Sequence, residues 1–268
     1  QPIQPLYLGH EITYMDYSHG IRLVKQAMLH DAGSWHFEFN AQVGWIREEL
    51  LRVAGVSRPA GWECVPLQGS GSFGVVYRAV QPLLEREVAA GFKGVKLLPV
   101  NRCYRLSDPA CRPLLDKAAE LGVHFIIHYG VSVAPDVDLH YADPIDLSPV
   151  ARDYPDTQFV IAHFGAGYLD QVLKLAYQCK NVCVDTSGTN NWMDFMAYPT
   201  TLEQTFRRCL ESIGPERIVF GTDAGTTRPY REWIAFQQRR TLEEMGLSDH
   251  DRDLILRANA VRIFSLDG

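Results

Sequence analysis

The chain has 268 residues, of which 46% are hydrophobic and 22% charged, and its formal net charge at pH 7 is −6. This balance is typical of a globular protein with a sizeable core, and the negative charge argues against a general nucleic-acid binder. Because no apolar run approaches the roughly 20 residues that span a bilayer, and no signal peptide is visible, the sequence predicts a cytoplasmic protein without membrane partners.

The first 80 residues have an irregular pattern. The sequence predicts two helices, over IRLVKQAMLHD (21–31) and VGWIREELLRVAG (43–55). It also predicts a strand in GWECVPLQGSGSFG (61–74) that runs into a glycine-rich turn. If the fold is a barrel, three of its strands must come from this part of the chain, and the pattern indicates only one or two of them.

From about residue 80 the pattern alternates between strand and helix. The predicted strands are GVKLLP, VHFIIHYG, QFVIAHFG, NVCVDTSG and RIVFGTDAG. The predicted helices are QPLLEREVAAGF, CRPLLDKAAELG, DPIDLSPVARDYP, YLDQVLKLAYQCK, TLEQTFRRCLESIG and SDHDRDLILRANAVRIF. Near-continuous apolar strands are buried on both faces, which indicates a parallel sheet covered by helices. A doubly wound sheet and an eight-stranded barrel both fit this alternation.

Chemically capable side chains stand where four of these strands end. They are His128, His163, Asp185 and Asp223. Barrel enzymes gather their chemistry from the C-terminal ends of different strands, so these positions favour a distorted (β/α)8 TIM-type barrel. The predicted organisation is one barrel domain over 1–268 with an irregular N-terminal segment, 1–79.

Each of these residues also has a structural interpretation. A single strand histidine is usually structural, and Asp223 in GTDAG has the surroundings of a turn or helix-capping residue. Asp185 could cap the segment that follows it. Two neighbouring strands that end in histidine, followed by one that ends in aspartate, favour a functional site. Imidazole and carboxylate are ligands for zinc, iron or manganese, and they also move protons near neutral pH.

The loops after the strands are rich in aromatic and polar residues. Tyr104, Trp192 and Arg228 are the predicted substrate-binding residues, for a small planar or carboxylated molecule. The same loops could instead contact a neighbouring subunit, which leaves a homodimer open. Lys96 could point into the barrel or could be an ion-paired or snorkelling lysine.

From about residue 80 to 268 the chain resembles the amidohydrolase superfamily, in particular its branch of aminocarboxymuconate-semialdehyde decarboxylase and related enzymes. The segments that carry the resemblance are GFKGVKLLP, HFIIHYG, DPIDLSPVARDYPDTQFVIAHFGAG, NVCVDTSG, RIVFGTDAG and LILRANAVRIF. It implies a barrel with one divalent metal, usually zinc, with manganese as the alternative. It also implies His128 as a metal ligand, His163 as the residue that polarises water or substrate, and Asp223 as both ligand and proton acceptor.

The family's first strand carries a His-x-His pair that supplies two further ligands, and this sequence contains no such pair. Ahead of the predicted helices it offers His10 and His19, which are therefore the candidates for these ligands. The implied activity is hydrolysis of a C–N or lactone C–O bond, or non-oxidative decarboxylation of a small carboxylated molecule, by metal-activated water. A barrel with an impaired metal site that acts as a binding protein is the alternative.

A second resemblance covers about residues 22–75, which look like the N-terminal part of 2-aminoethylphosphonate–pyruvate aminotransferase. VKQAMLHDAGSW and LQGSGSF are the nearest matches. In that family the glycine–serine turn begins a helix whose N–H groups hold the phosphate of pyridoxal phosphate. The cofactor-binding aspartate region and the Schiff-base lysine motif of that family are not found in this sequence. The chain therefore resembles a composite of a transaminase-like front and an amidohydrolase-like body.

Overall fold

A computed structural model describes four stretches with their side chains and one short strand by its backbone. The four stretches are 84–89, 91–132, 137–223 and 231–266, and the strand is 22–25. The candidate ligands His10 and His19 and the candidate substrate residue Arg228 lie outside the described residues. So does the predicted helix over 43–55.

The described strands form a single six-stranded sheet in chain order. They are β1 (Arg22–Lys25), β2 (Phe92–Leu97), β3 (His124–Ile127), β4 (Phe159–Ile161), β5 (Val182–Asp185) and β6 (Ile218–Val219). All neighbouring pairs from β2 to β6 are parallel. The five strands predicted from residue 80 onward are therefore confirmed, and so is their parallel arrangement.

The strand β1 corrects one prediction, because it lies inside the segment 21–31 that was predicted as a helix. It pairs antiparallel with β2, with Arg22 opposite Lys96 and Leu23 opposite Val95. A short apolar run is ambiguous between helix and strand, and an open sheet edge offers unpaired backbone groups. Here pairing with the edge of β2 decides the conformation.

Helices follow the parallel strands, as the alternating pattern predicts. They are α1 (84–89), α2 (Pro99–Arg102), α3 (Arg112–Glu120), α4 (Ser148–Asp153), α5 (Leu169–Gln178), α6 (Leu202–Ile213), α7 (Glu232–Glu244), α8 (Asp249–Asp253) and α9 (Asn259–Phe264), with a π-helical turn at Leu254–Ala258. Short 3-10 turns lie at Pro109–Cys111, Leu139–Tyr141, Pro144–Leu147, Ala162–Gly165, Asn191–Phe195 and Pro215–Arg217. Helix α7 was not predicted.

Local sequence signals explain where two of these helical segments begin. Asp143 accepts a hydrogen bond from the backbone N–H of Ile145 and Pro144 occupies the first turn, as predicted. Thr201 and Gln204 form a reciprocal capping box at the start of α6. Among the described helices, none is both long enough and apolar enough to cross a bilayer.

The two faces of the sheet carry different layers, because alternate residues of a strand point to opposite faces. One face packs against the helices and forms the larger hydrophobic cluster, which includes Phe125, Ile127 and Phe159. The other, inner face carries a smaller cluster in which Ile126, Val160, Cys183 and Val219 pack against residues of α9: Ala260, Ile263 and Phe264.

The inner face changes from apolar to polar along the strands. At the N-terminal end of β2, a Cβ on Gly94 would lie 3.0 Å from the Phe264 ring. Further along, Lys96 lies beside Ile126 in the register. His128 is two residues beyond Ile126, and Asp185 is two beyond Cys183, so both continue the inner face. All three of these polar residues are buried. The polar layer thus lies at the C-terminal ends of the strands.

Candidate active site

The end of β4 has an unusual backbone. His163 and Phe164 adopt left-handed conformations, with φ of 58° and 53°, and Ala166 does so with φ of 41°. Such conformations cost about 1–3 kcal/mol each in residues other than glycine, and they persist where surrounding contacts hold them. One such contact is the backbone N–H of His163, which donates to Asp185 Oδ1 over 3.2 Å.

Asp185 is a buried carboxylate that joins β4 to β5. Its Oδ1 accepts hydrogen bonds from the backbone N–H groups of His163 and Ser187, the latter at 2.6 Å. Its Oδ2 is buried and has no hydrogen-bond partner in the described part of the chain. Burial raises the pKa of this carboxyl, and the positive charge of Lys96 opposes that shift. The sequence indicates Asp185 only as a weak candidate, but its carboxylate connects the backbone after β4 to the backbone after β5.

The ring of His163 is held by the residues after β5. Its Nδ1 lies 2.9 Å from the carbonyl oxygen of Ser187 and 2.8 Å from Ser187 Oγ. Because a carbonyl oxygen only accepts, Nδ1 carries the proton, and the lone pair of the neutral ring is on Nε2. Gly188 leaves room for this arrangement, since a Cβ there would lie 3.1 Å from Nδ1.

His128 packs edge-on against His163. Their ring centroids are 5.1 Å apart with an interplanar angle of 64°. Burial lowers the pKa of His128 well below its usual range, and the adjacent His163 and the positive charge of Lys96 lower it further. The ring is therefore neutral near pH 7, the state in which an imidazole accepts a proton or binds a metal ion. The predicted meeting of two strand-end histidines is present in the structure.

Asp223 follows β6 in a left-handed conformation, with φ of 56°, and is 7% exposed. Its Oδ2 lies 3.4 Å from Nη1 of Arg231, which is also largely buried. The sequence pattern indicates Arg228 as a substrate residue after this strand and does not indicate Arg231. A basic residue shortly after a strand-end carboxylate is the signal that could have suggested it.

The structure buries both of the predicted substrate residues that it describes. Tyr104 is 7% exposed, and burial raises the pKa of its hydroxyl far above the usual range. Trp192 is 5% exposed and lies in the 3-10 turn after β5.

A metal site can be tested against the donors that are described. His128, His163, Asp185 and Asp223 have the chemistry of metal ligands. Within the described stretches, however, no group of three or more His, Cys, Asp or Glu side chains is close enough to hold a metal ion. The described residues therefore do not form a metal site by themselves, and His10 and His19 lie outside them.

Other structures share the fold defined by this sheet and its helices. An uncharacterised TIM-barrel protein from Bordetella bronchiseptica matches with a TM-score of 0.55 and 17% identity, over 85% of this chain and 84% of the other. A candidate metal-dependent hydrolase from Lactobacillus casei matches with a TM-score of 0.54 and 16% identity, over 73% of this chain and 63% of the other. A 2,6-dihydroxybenzoate decarboxylase matches with a TM-score of 0.51 and 16% identity, over 88% and 93%.

The fold is thus that of a TIM-type α/β barrel, which confirms the predicted fold class. The sequence model of the amidohydrolase family matches residues 69–266, which is most of the chain. The chain therefore belongs to the amidohydrolase family.

Curated relatives in sequence are 2-aminoethylphosphonate–pyruvate transaminases. The one from Burkholderia thailandensis is 33% identical over 161 residues, which are 59% of this chain and 38% of the relative. The one from Polaromonas sp. is 44% identical over 81 residues, or 30% and 20%. The chain therefore spans about two fifths or less of these relatives. The family model begins at residue 69, and the 161-residue match to the Burkholderia thailandensis transaminase is longer than the 68 residues before that point. This match therefore extends into the amidohydrolase region.

Proposed function

We propose that this chain is an amidohydrolase-type enzyme that acts on a small carboxylated molecule. It either hydrolyses a C–N or lactone C–O bond of that molecule or removes CO2 from it non-oxidatively. The observation that carries the proposal is the geometry of His163. Its ring is fixed through Nδ1 to Ser187 at 2.9 Å, and its backbone is fixed to Asp185 at 3.2 Å. A histidine oriented from both sides is prepared to exchange a proton at Nε2.

The proposed reactions need this proton at different steps. In hydrolysis, Nε2 of His163 accepts a proton from the attacking water or donates one to the leaving group. In decarboxylation, the carbon that loses CO2 must gain a proton, and a protonated Nε2 can donate it. In both cases Ser187 orients the ring and Asp185 holds the backbone of His163, while neutral His128 occupies the adjacent position.

Replacing His163 with asparagine tests this role. An asparagine side chain retains a donor near the Nδ1 position for the Ser187 carbonyl, but it removes Nε2. We expect turnover to fall by about a hundredfold or more, the usual contribution of a positioned acid–base group. The measurement is kcat on a panel of lactones, cyclic amides and hydroxylated aromatic carboxylates, with the thermal midpoint as a check of folding.

The matched control for this variant is His250→Asn, on the exposed helix α8. It should retain the wild-type kcat. Wild-type turnover in His163→Asn would contradict the proposed role. A wild-type chain inactive on the entire panel would contradict the proposed reaction class.

The proposal includes one divalent metal, zinc or manganese, which supplies Lewis-acid chemistry when bound. Because the described residues lack a three-ligand group, at least one ligand would have to come from the remainder of the chain. For protein purified without chelator, we expect about one equivalent of transition metal per chain, as in catalytic zinc sites. The measurement is elemental analysis. Less than about a tenth of an equivalent, with no gain of turnover on adding zinc or manganese, would count against the metal.

The sequence relatives support a second candidate, a pyridoxal-phosphate-dependent transamination of 2-aminoethylphosphonate. This activity requires a lysine that forms an internal aldimine with the cofactor. After incubation with pyridoxal phosphate and removal of the free cofactor, we expect no protein-bound absorbance band of an internal aldimine, because the catalytic lysine context of that family is missing from the sequence. A band that borohydride removes, together with pyruvate-dependent turnover, would favour the transaminase instead.

A further inference from the structure

His124 connects the N-terminal ends of β3 and β4. The backbone N–H of Gln158, the residue immediately before β4, donates to Nδ1 of His124 over 3.1 Å. The carbonyl oxygen of Gln158 accepts from the N–H of Phe125 over 3.0 Å. Both backbone polar groups of Gln158 are therefore bonded to β3, and one of these two bonds depends on a side chain that can take up a proton.

The direction of this hydrogen bond fixes the state of the imidazole ring. A backbone N–H can only donate, so Nδ1 of His124 carries the lone pair and the ring proton is on Nε2. When the ring takes up a second proton, Nδ1 also becomes a donor, and two N–H groups then face each other. The N–H of Gln158 loses its acceptor at a partly buried position, which costs free energy.

The surroundings of His124 favour the neutral ring. His124 lies on the inner face of the sheet, two residues before Ile126, and it pairs in the register with Gly94. The ring of Phe264 covers Gly94, where an added Cβ would lie 3.0 Å from it. Burial lowers the pKa of His124, because the charged ring loses hydration at this position.

Other titratable groups surround this end of the sheet. They are Lys93 and Lys96 on β2, Glu120 on α3, His128 on β3, Cys183 on β5, Glu216 and Arg217 before β6, and Arg262 on α9. The thiol of Cys183 lies 3.7 Å from Oε1 of Gln158, and burial raises its pKa to about 11, so it is neutral in acid. Within the described residues, burial is the cause of the shift in the pKa of His124 and no charged group contributes to it.

We propose that His124 is an acid-sensitive connection between β3 and β4, which holds the start of both strands together when neutral and releases Gln158 when protonated. These are the strands that lead to His128 and His163, so acid weakens the sheet beneath the candidate site. The proposal concerns the fold and does not depend on the proposed reaction.

The sign of the pH dependence follows from the state of the ring. Because folding favours neutral His124, the unfolded chain binds more protons than the folded chain once the pH falls below about 6.5, the value for an unperturbed histidine. The contribution of this connection to stability is therefore complete above that pH, and it decreases as the pH falls towards the lower pKa of the folded state.

The experiment is urea unfolding of the full chain at pH 7 and at pH 5, with His124→Asn as the variant. Oδ1 of asparagine can accept from the N–H of Gln158 near the Nδ1 position, and it does not titrate in this range. From pH 7 to pH 5, the ratio of unfolded to folded wild type should rise at least about threefold more than that of His124→Asn. Groups that titrate in both proteins, among them His128, cancel in this comparison.

The control is His250→Asn, at an exposed position on α8, which should keep the pH dependence of the wild type. Equal pH dependence of wild type and His124→Asn would overturn the proposal. A second measurement follows the His124 ring and the exchange of the Gln158 amide proton in the wild type by NMR. We expect the ring to titrate below about 6.5 and the amide to exchange faster once the ring is protonated. A ring that titrates at or above that value would overturn the proposal even if the variant did not fold.

Discussion

Gly130→Ala should prevent the chain from folding or destabilise it by more than about 4 kcal/mol, a range reached only by severe steric or packing defects. Gly130 follows β3 with φ of 91°, and a Cβ there would lie 2.1 Å from the carbonyl oxygen of Gly165 and 2.7 Å from that of Ala166. Both obstacles are backbone atoms, which cannot rotate away as a side chain does. The measurement is urea unfolding, or the yield of folded protein where unfolding cannot be followed.

The backbone around Gly130 cannot easily shift to relieve this clash. The N–H of Gly130 donates to the carbonyl of Ala142 over 2.8 Å, and the N–H of Val131 donates to that of Ala166 over 2.9 Å. The control is Gly122→Ala, at φ of 64° with no atom within 4 Å of the added Cβ. It should lower the free energy of unfolding by only about 1–2 kcal/mol, which is the cost of the left-handed conformation in alanine. If the two variants lost equal free energy of unfolding, the clash with the backbone of residues 165–166 would not be what destabilises Gly130→Ala.

Gln238→Leu should lower the free energy of unfolding by about 4 kcal/mol, because it leaves several buried polar groups without partners. Gln238 is fully buried in α7, and its Nε2 donates to the carbonyl oxygens of Thr186, at 2.7 Å, and Gly221, at 3.2 Å. Its Oε1 accepts from the hydroxyl of Thr186. This one side chain joins the segments that follow β5 and β6, close in sequence to Asp185 and Asp223. The measurement is chemical denaturation.

The neighbouring Gln237 provides the control, because its side chain is exposed on the same helix. Gln237→Leu should change stability by less than about 0.5 kcal/mol, as is usual for surface substitutions. If Gln238→Leu were equally mild, the hydrogen bonds between α7 and the two strand ends would not stabilise the fold. Gln238→Met is a second test, because methionine matches glutamine in length and lacks its polar amide atoms.

The strands from residue 92 onward could be predicted because their signals are local and repeated. Apolar segments such as HFII and FVI, separated by capped helices, indicate a parallel sheet without any knowledge of contacts. The pairing of His128 with His163 was also predictable, because neighbouring parallel strands place their C-terminal ends side by side. These predictions needed only periodicity and topology.

Features that depend on tertiary contacts could not be predicted in this way. β1 forms because the edge of β2 is available, which the letters RLVK do not show. Asp185 looked like a capping residue, and its contact with the backbone of His163 depends on the register of β4 and β5. Helix α7 lacks a strong amphipathic pattern, with Trp233 and Phe236 exposed and Gln238 buried. The roles of His10, His19 and Arg228 remain predictions.

Helix α9 packs at the end of the strands opposite to Asp185 and His128. Ala260, Ile263 and Phe264 cover the inner face at its N-terminal end and exclude solvent from that side of the interior. Burial raises the pKa of Asp185 and lowers that of His128, and this helix adds to the burial of the interior from its N-terminal side. The proton affinities of the site are thus tuned in part by hydrocarbon groups that touch none of the reacting atoms.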